Sequence, residues 1–135
     1  MNGQLAIMSI LQNDATFGAI VGIGSSAKIY YDEAMQTVTT PFAIIKTDGI
    51  TPNDTKSGAS TLDFDLVYIT HFAATKKQVT DMSLAARNAL DRTTGTKGGI
   101  IVIGLQFKDL RSDTERLIDK KVFTEEQLFQ IMTQQ

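Results

Sequence analysis

Leu62-Asp63-Phe64-Asp65-Leu66-Val67-Tyr68-Ile69-Thr70-His71-Phe72-Ala73 is the stretch on which the fold turns. Leu62, Phe64, Leu66, Tyr68 and Phe72 alternate at period two, the pattern of a strand that keeps one face in a core. The opposite face begins polar, at Thr61, Asp63 and Asp65, and turns apolar at Val67 and Ile69. The pattern predicts an even-numbered face packed under helices. It also predicts an odd-numbered face covered over half its length by something else.

Upstream, Pro41 suits the first position of a strand because it has no N–H to donate. Phe42-Ala43-Ile44-Ile45-Lys46-Thr47 follows as that strand, apolar on both faces at its centre, and runs antiparallel to 62–72. The connection from Asp48-Gly49 to Ser60 is rich in turn residues and long for a plain hairpin. It reads either as a projecting ribbon or as a loop ordered by a partner. Lys28-Ile29-Tyr30-Tyr31 reads as a short strand. Leu5, Ile7, Met8, Ile10 and Leu11 place a helix at residues 3–12 with Asn2 as its N-cap. Asp14 caps a further helical turn through Phe17 and Ile20, closed by Gly22.

Downstream, Thr75-Lys76-Lys77-Gln78 fits a capping box and opens a helix over 76–91, with Val79, Met82, Ala86 and Leu90 on one face. Ile100 to Phe107 is a two-sided apolar strand with Gly104 as a candidate bulge. Lys108 to Lys121 is charged and reads as a solvated loop. Glu126 to Met132 fits a last strand. The fold class expected is α+β: an antiparallel, mixed-order sheet of four to five strands with two helices packed on one face. A single domain spans 1–135, its C-terminal part (109–135) an extended charged loop plus last strand.

That arrangement leaves one sheet face bare, where polar alternation is the rule. Strands 42–47, 62–72 and 100–107 are instead apolar on both sides. The C-terminal segment, another subunit or both must cover them, and exposed apolar surface of that extent marks an interface.

Composition narrows the function. The chain has 135 residues with 13 basic and 15 acidic side chains, so no charge excess drives nucleic-acid binding. It contains no cysteine and one histidine, which removes thiol chemistry and argues against a zinc-type metal site. No apolar run approaches the roughly 18 residues of a membrane helix, and no basic lead-in marks a signal peptide. Asp63 and Asp65 point to the same side of one strand. Paired carboxylates can do acid–base work or hold a hard cation. A solvated face or an intersubunit ion pair is the plainer reading. Gly22-Ile23-Gly24-Ser25-Ser26 lies between helix and strand, the reverse of a phosphate loop. No catalytic, metal or cofactor constellation emerges.

Leu11, Asp14, Phe17, Ile20 and Gly22, then Lys28-Ile29-Tyr30, then Pro41-Phe42-Ala43-Ile44-Ile45 resemble the opening of the tail-terminator (tail-completion) proteins of tailed bacteriophages. The strand to Phe72, the helix at 76–91 and the strand at 100–107 continue the likeness to about residue 108. Leu110 to Phe123 departs from it by adding charged sequence before the last strand. The resemblance implies a virion structural protein, made in the host cytoplasm. Copies would close into a ring, a hexamer, that caps the tail tube and docks the head–tail connector, with DNA passing through the lumen. It implies no enzyme activity, no cofactor and no membrane. Residues expected at the assembly interface are Thr51, Asn53, Asp54 and Lys56 in the 49–60 connection, Asp63, Asp65, Val67 and Ile69 on the central strand, and Arg111, Glu115 and Arg116 in the charged stretch. The alternatives are another neck or tube adaptor of similar fold, or a small ligand-binding or enzymatic domain.

Overall fold

The computed structural model describes residues 2–33, 39–52, 62–117 and 120–134. In chain order these form helices α1 (Asn2–Gln12) and α2 (Ala15–Val21), a 3-10 turn (Gly24–Ser26), strands β1 (Ile29–Tyr31), β2 (Phe42–Pro52) and β3 (Leu62–Ala73), helix α3 (Lys76–Leu90), and strands β4 (Gly95–Lys97), β5 (Ile100–Leu117) and β6 (Lys120–Gln134). The sheet has six strands in the order β1-β2-β3-β6-β5-β4. The class is α+β, but the sheet is larger than expected and mixed. β1 runs parallel to β2, because the chain returns to its starting end between Tyr31 and Phe42. Three α-helices are present among the described residues rather than two, since the Asp14-capped turn is a helix in its own right.

Local signals explain the element ends. Asp14 accepts the Phe17 N–H at 2.8 Å and starts α2, and Thr75 Oγ1 accepts the Gln78 N–H at 3.2 Å and starts α3. Helix α1 is capped from far away in the sequence: its Gly3 N–H donates to Asp65 Oδ2 on β3 at 2.8 Å, in a buried contact. Glycine is needed there because a Cβ would overlap the Asp65 carboxylate and the Ile131 side chain. The register slips between Val102 and Gly104, as the bulge at Gly104 requires, and again between Phe107 and Asp109.

The face assignment on β3 is the reverse of the one expected. Asp65, Val67, Ile69, His71 and Ala73 are the buried row, each 1% exposed or less. They pack with Ile45, Phe129 and Ile131 beneath the helices, alongside Leu11, Phe17, Met82 and Leu90. Phe64, Tyr68 and Phe72 are only half-buried, and Leu66 is 37% exposed. Val67 and Ile69 therefore belong to the core beneath the helices. They do not lie under the C-terminal segment or a neighbour.

Two further expectations change. The C-terminal segment does not lie over the sheet. It is β6, inserted between β3 and β5, and it pairs with β3 from Leu62↔Gln134 to Ala73↔Phe123. The charged stretch is not a loop either. β5 and β6 stay paired from Ile101↔Gln134 to Leu117↔Lys120. Lys108 to Thr114 form an edge beside the part of β6 that β3 flanks, and residues 108–112 are exposed, so mixed charge does not oppose strand structure there.

Candidate assembly surface

Register places the residues of each sheet face. On the helix-free face Phe42 stands opposite Phe72, Ile44 opposite Thr70, and Lys46 opposite Tyr68. Across the next pair Phe64 stands opposite Met132, Leu66 opposite Gln130, and Tyr68 opposite Leu128. Phe42 and Phe72 stack with centroids 4.6 Å apart, and Tyr30 meets Phe42 edge-on at 6.4 Å. Ile101, 44% exposed, shares this face through its pairing with Gln134. The result is an apolar and aromatic sheet surface with no helix over it. A depression of about 360 Å³ opens between Ile44, Lys46, Tyr68, Phe72, Asp32 and Glu126. A smaller one, about 150 Å³, opens between Phe64, Gln106, Gln130 and Met132, where Gly104 contributes no side chain.

Neither hollow assembles a nucleophile, a base and an orienting group, the minimum for hydrolytic chemistry. Among the described residues, no three His, Cys, Asp or Glu side chains come together as a metal site would need. Among the described residues no helix is long and apolar enough to cross a membrane.

The polar groups that do converge lie on the helix side and are sealed. His71 Nε2 and Gln127 Oε1 are 2.7 Å apart, and Gln127 Nε2 donates to the Ser83 carbonyl at 2.9 Å. Burial lowers the His71 pKa from its ordinary 6.5 to about 4, against smaller raising effects of the Gln127 hydrogen bond and the Glu125 charge. Glu125, 3% exposed, takes a hydrogen bond from Thr80 Oγ1 at 3.1 Å and faces Lys76 Nζ at 3.4 Å. His71 has no exposed surface, and through Gln127 and Glu125 this cluster joins α3 to β3 and β6. Sequence reading passed over it. The available signal was the odd-numbered row Glu125, Gln127, Phe129, Ile131, Thr133, in which polar and apolar residues share one buried face.

The expected interface residues divide three ways. Asp65, Val67 and Ile69 are buried inside the subunit, and Asp63 lies in the same row at its half-buried end. Arg111 is exposed on β5, opposite Glu126. By backbone register Glu115 stands opposite Val122, Arg116 opposite Lys121, and Thr51 opposite Phe64. Asn53, Asp54 and Lys56 fall outside the described residues. β2 does extend into the 49–60 connection as far as Pro52, as a ribbon would. The described residues of the expected set thus do not form one patch; the open face is made largely of residues assigned to the core.

No protein-family model matches the chain, and no curated protein does. Its fold is similar to that of a chain in the virion of a native gene transfer agent particle, with a TM-score of 0.74 at 16% identity. The likeness covers 98% of this chain and 94% of the other.

Proposed function

We propose that the protein is a structural component of a phage-like virion, and within it a tail terminator. Copies close into a ring, six in the family that the sequence resembles, and the ring ends tube growth and docks the head–tail connector. The observation that carries this reading is the end-to-end fold likeness to a chain of a gene transfer agent virion. The bare aromatic face supports it, because a surface of that kind is stable in water only when another protein covers it. The mechanism is end-capping by shape and charge complementarity, without chemistry. The 49–60 connection, with Thr51, Asn53, Asp54 and Lys56, and the β5–β6 arm, with Arg111, Glu115 and Arg116, reach the neighbouring subunit, the tube or the connector. Another neck or tube adaptor built on the same fold is the second reading, distinguished by where the protein sits on the particle.

Mass in solution and negative-stain images, with and without tail tubes, test the proposal. A ring, alone or at tube ends, is the expected outcome. A strict monomer that leaves tube length and tube ends unchanged overturns it.

A further inference from the structure

Both edges of the sheet are only partly closed among the described residues. β1 pairs with β2 at Ala43, Ile44 and Ile45 alone, leaving the outer edge from Lys46 to Pro52 open. β4 pairs with β5 at Ile100, Ile101 and Val102 alone. Beyond that, the Arg92 N–H donates to the Leu105 carbonyl at 2.7 Å and the Phe107 N–H to Asp91 Oδ1 at 3.1 Å, closing the edge as far as Phe107. From Lys108 to Leu117 the arm has a strand on one side only. An open edge of this length is a template for another strand.

We infer that neighbouring copies join edge to edge, the outer edge of β5 over 108–117 in one protomer adding to the outer edge of β2 over 46–52 in the next. This deepens the ring reading and rests on it. Three observations select that pairing. First, β2 and β5 run in opposite directions, three antiparallel steps apart, so a ring that keeps every sheet facing the same way makes the new pair antiparallel. Second, the two open edges lie at opposite ends of the sheet, since Pro52 and Val102 share an end through Asp63 and Thr133. Joining them staggers each copy along the strand direction, and strands closed into a cylinder require such a stagger. Third, an antiparallel pairing confined to the two open segments sets Lys46 of one copy opposite the far part of β5 in the next, where Asp113 and Glu115 are opposite to it in charge and, by backbone register, on the same sheet face. A two-fold β5–β5 pairing would leave the β2 edge bare.

Register also says which backbone groups are offered. The Ala43 N–H and Ile45 carbonyl point outward, so Thr47 does as well. On β5 the bulge at Lys108 shifts the phase, and Leu110 and Ser112 turn outward; the Leu110 N–H is held by Asp109 Oδ1 at 2.8 Å. Lys46, Asp113 and Glu115 then fall at positions not hydrogen-bonded across the new interface, where Cα atoms approach to about 4.5 Å.

The chain has no cysteine, so introduced pairs report without background. Lys46→Cys combined with Asp113→Cys or with Glu115→Cys should give a covalent ladder on oxidation of the assembled protein, in one of the two combinations. Each single variant, and Lys46→Cys with Lys77→Cys on α3, should give none. Ser112→Pro, which removes an outward N–H, should keep the circular dichroism spectrum of the parent and lose ring formation. Rings of the parent protein in which neither pair cross-links overturn the edge pairing and leave the ring reading standing. Dimers linked through Glu115→Cys alone overturn it in favour of β5–β5 contact. The absence of any ring from the parent, with tubes present, overturns the ring reading itself.

Discussion

The two faces of β3 reverse a common expectation. One carries Phe64, Leu66, Tyr68 and Phe72 and is left half open; the other carries Asp65 and His71 and is sealed. Apolar content alone would have chosen the first as the core. What decides is partnership: Asp65 meets the N–H at the start of α1, and His71 meets Gln127 through Nε2, although its Nδ1 has no partner among the described residues. Once satisfied, a polar group can stay buried at little cost, whereas unsatisfied it would cost several kcal/mol. The more apolar face is thereby left for contact outside the subunit.

Substitutions can break this comparison, the largest effect first. Ile69→Ala, on the sealed side, should cost about 2–5 kcal/mol in urea unfolding, while Leu66→Ala one strand face away should cost less than about 1. A similar loss for both would mean the faces are equivalent. Acid should weaken the sealed side next. His71 is held at about 4 when folded and returns to its ordinary 6.5 when unfolded, so the unfolded chain binds more protons between those values. Its contribution is complete above pH 6.5 and falls by roughly 3 kcal/mol as pH drops toward 4. Stability curves of His71→Gln and the parent should converge as the solution is acidified; parallel curves would contradict the assignment.

Asp65→Asn should cost about 1–3 kcal/mol, through the cap of α1, and should raise amide exchange first at that helix start. The smallest effect on folding belongs to the open side. Leu66→Asp should shift unfolding by no more than about 0.5 kcal/mol yet abolish association, read as mass in solution. Retained assembly would show that this part of the face is not buried between proteins.

Much of the framework was legible beforehand. The Asp14 and Thr75 caps, the short Ile29–Tyr31 strand, the bulge at Gly104 and the last strand all follow from local chemistry, and each is where the sequence puts it. The faces of β3 were not, because period two states that two faces differ and not which one meets the helices. The deciding contact, from Gly3 to Asp65, spans 62 residues and leaves no local trace. The charged arm was misread for a related reason. Strand patterning is recognised by the apolar row it buries, and an edge strand exposed throughout 108–112 has no such row. Of the interface residues expected, Arg111 is legible as a surface position, while Val67 and Ile69 followed the β3 faces into the core.

The place of β6 has a consequence for how the molecule is made. Two pieces of sheet, β1-β2-β3 and β4-β5, are joined only through β6. Until residues 120–134 have been synthesised and have threaded between them, the nascent chain holds two unconnected fragments, each with an unpaired inner edge. Contacts this distant in sequence form slowly. The last step of folding is thus also the step that removes the inner edges, so assembly-competent subunits arise only after the whole sheet is complete.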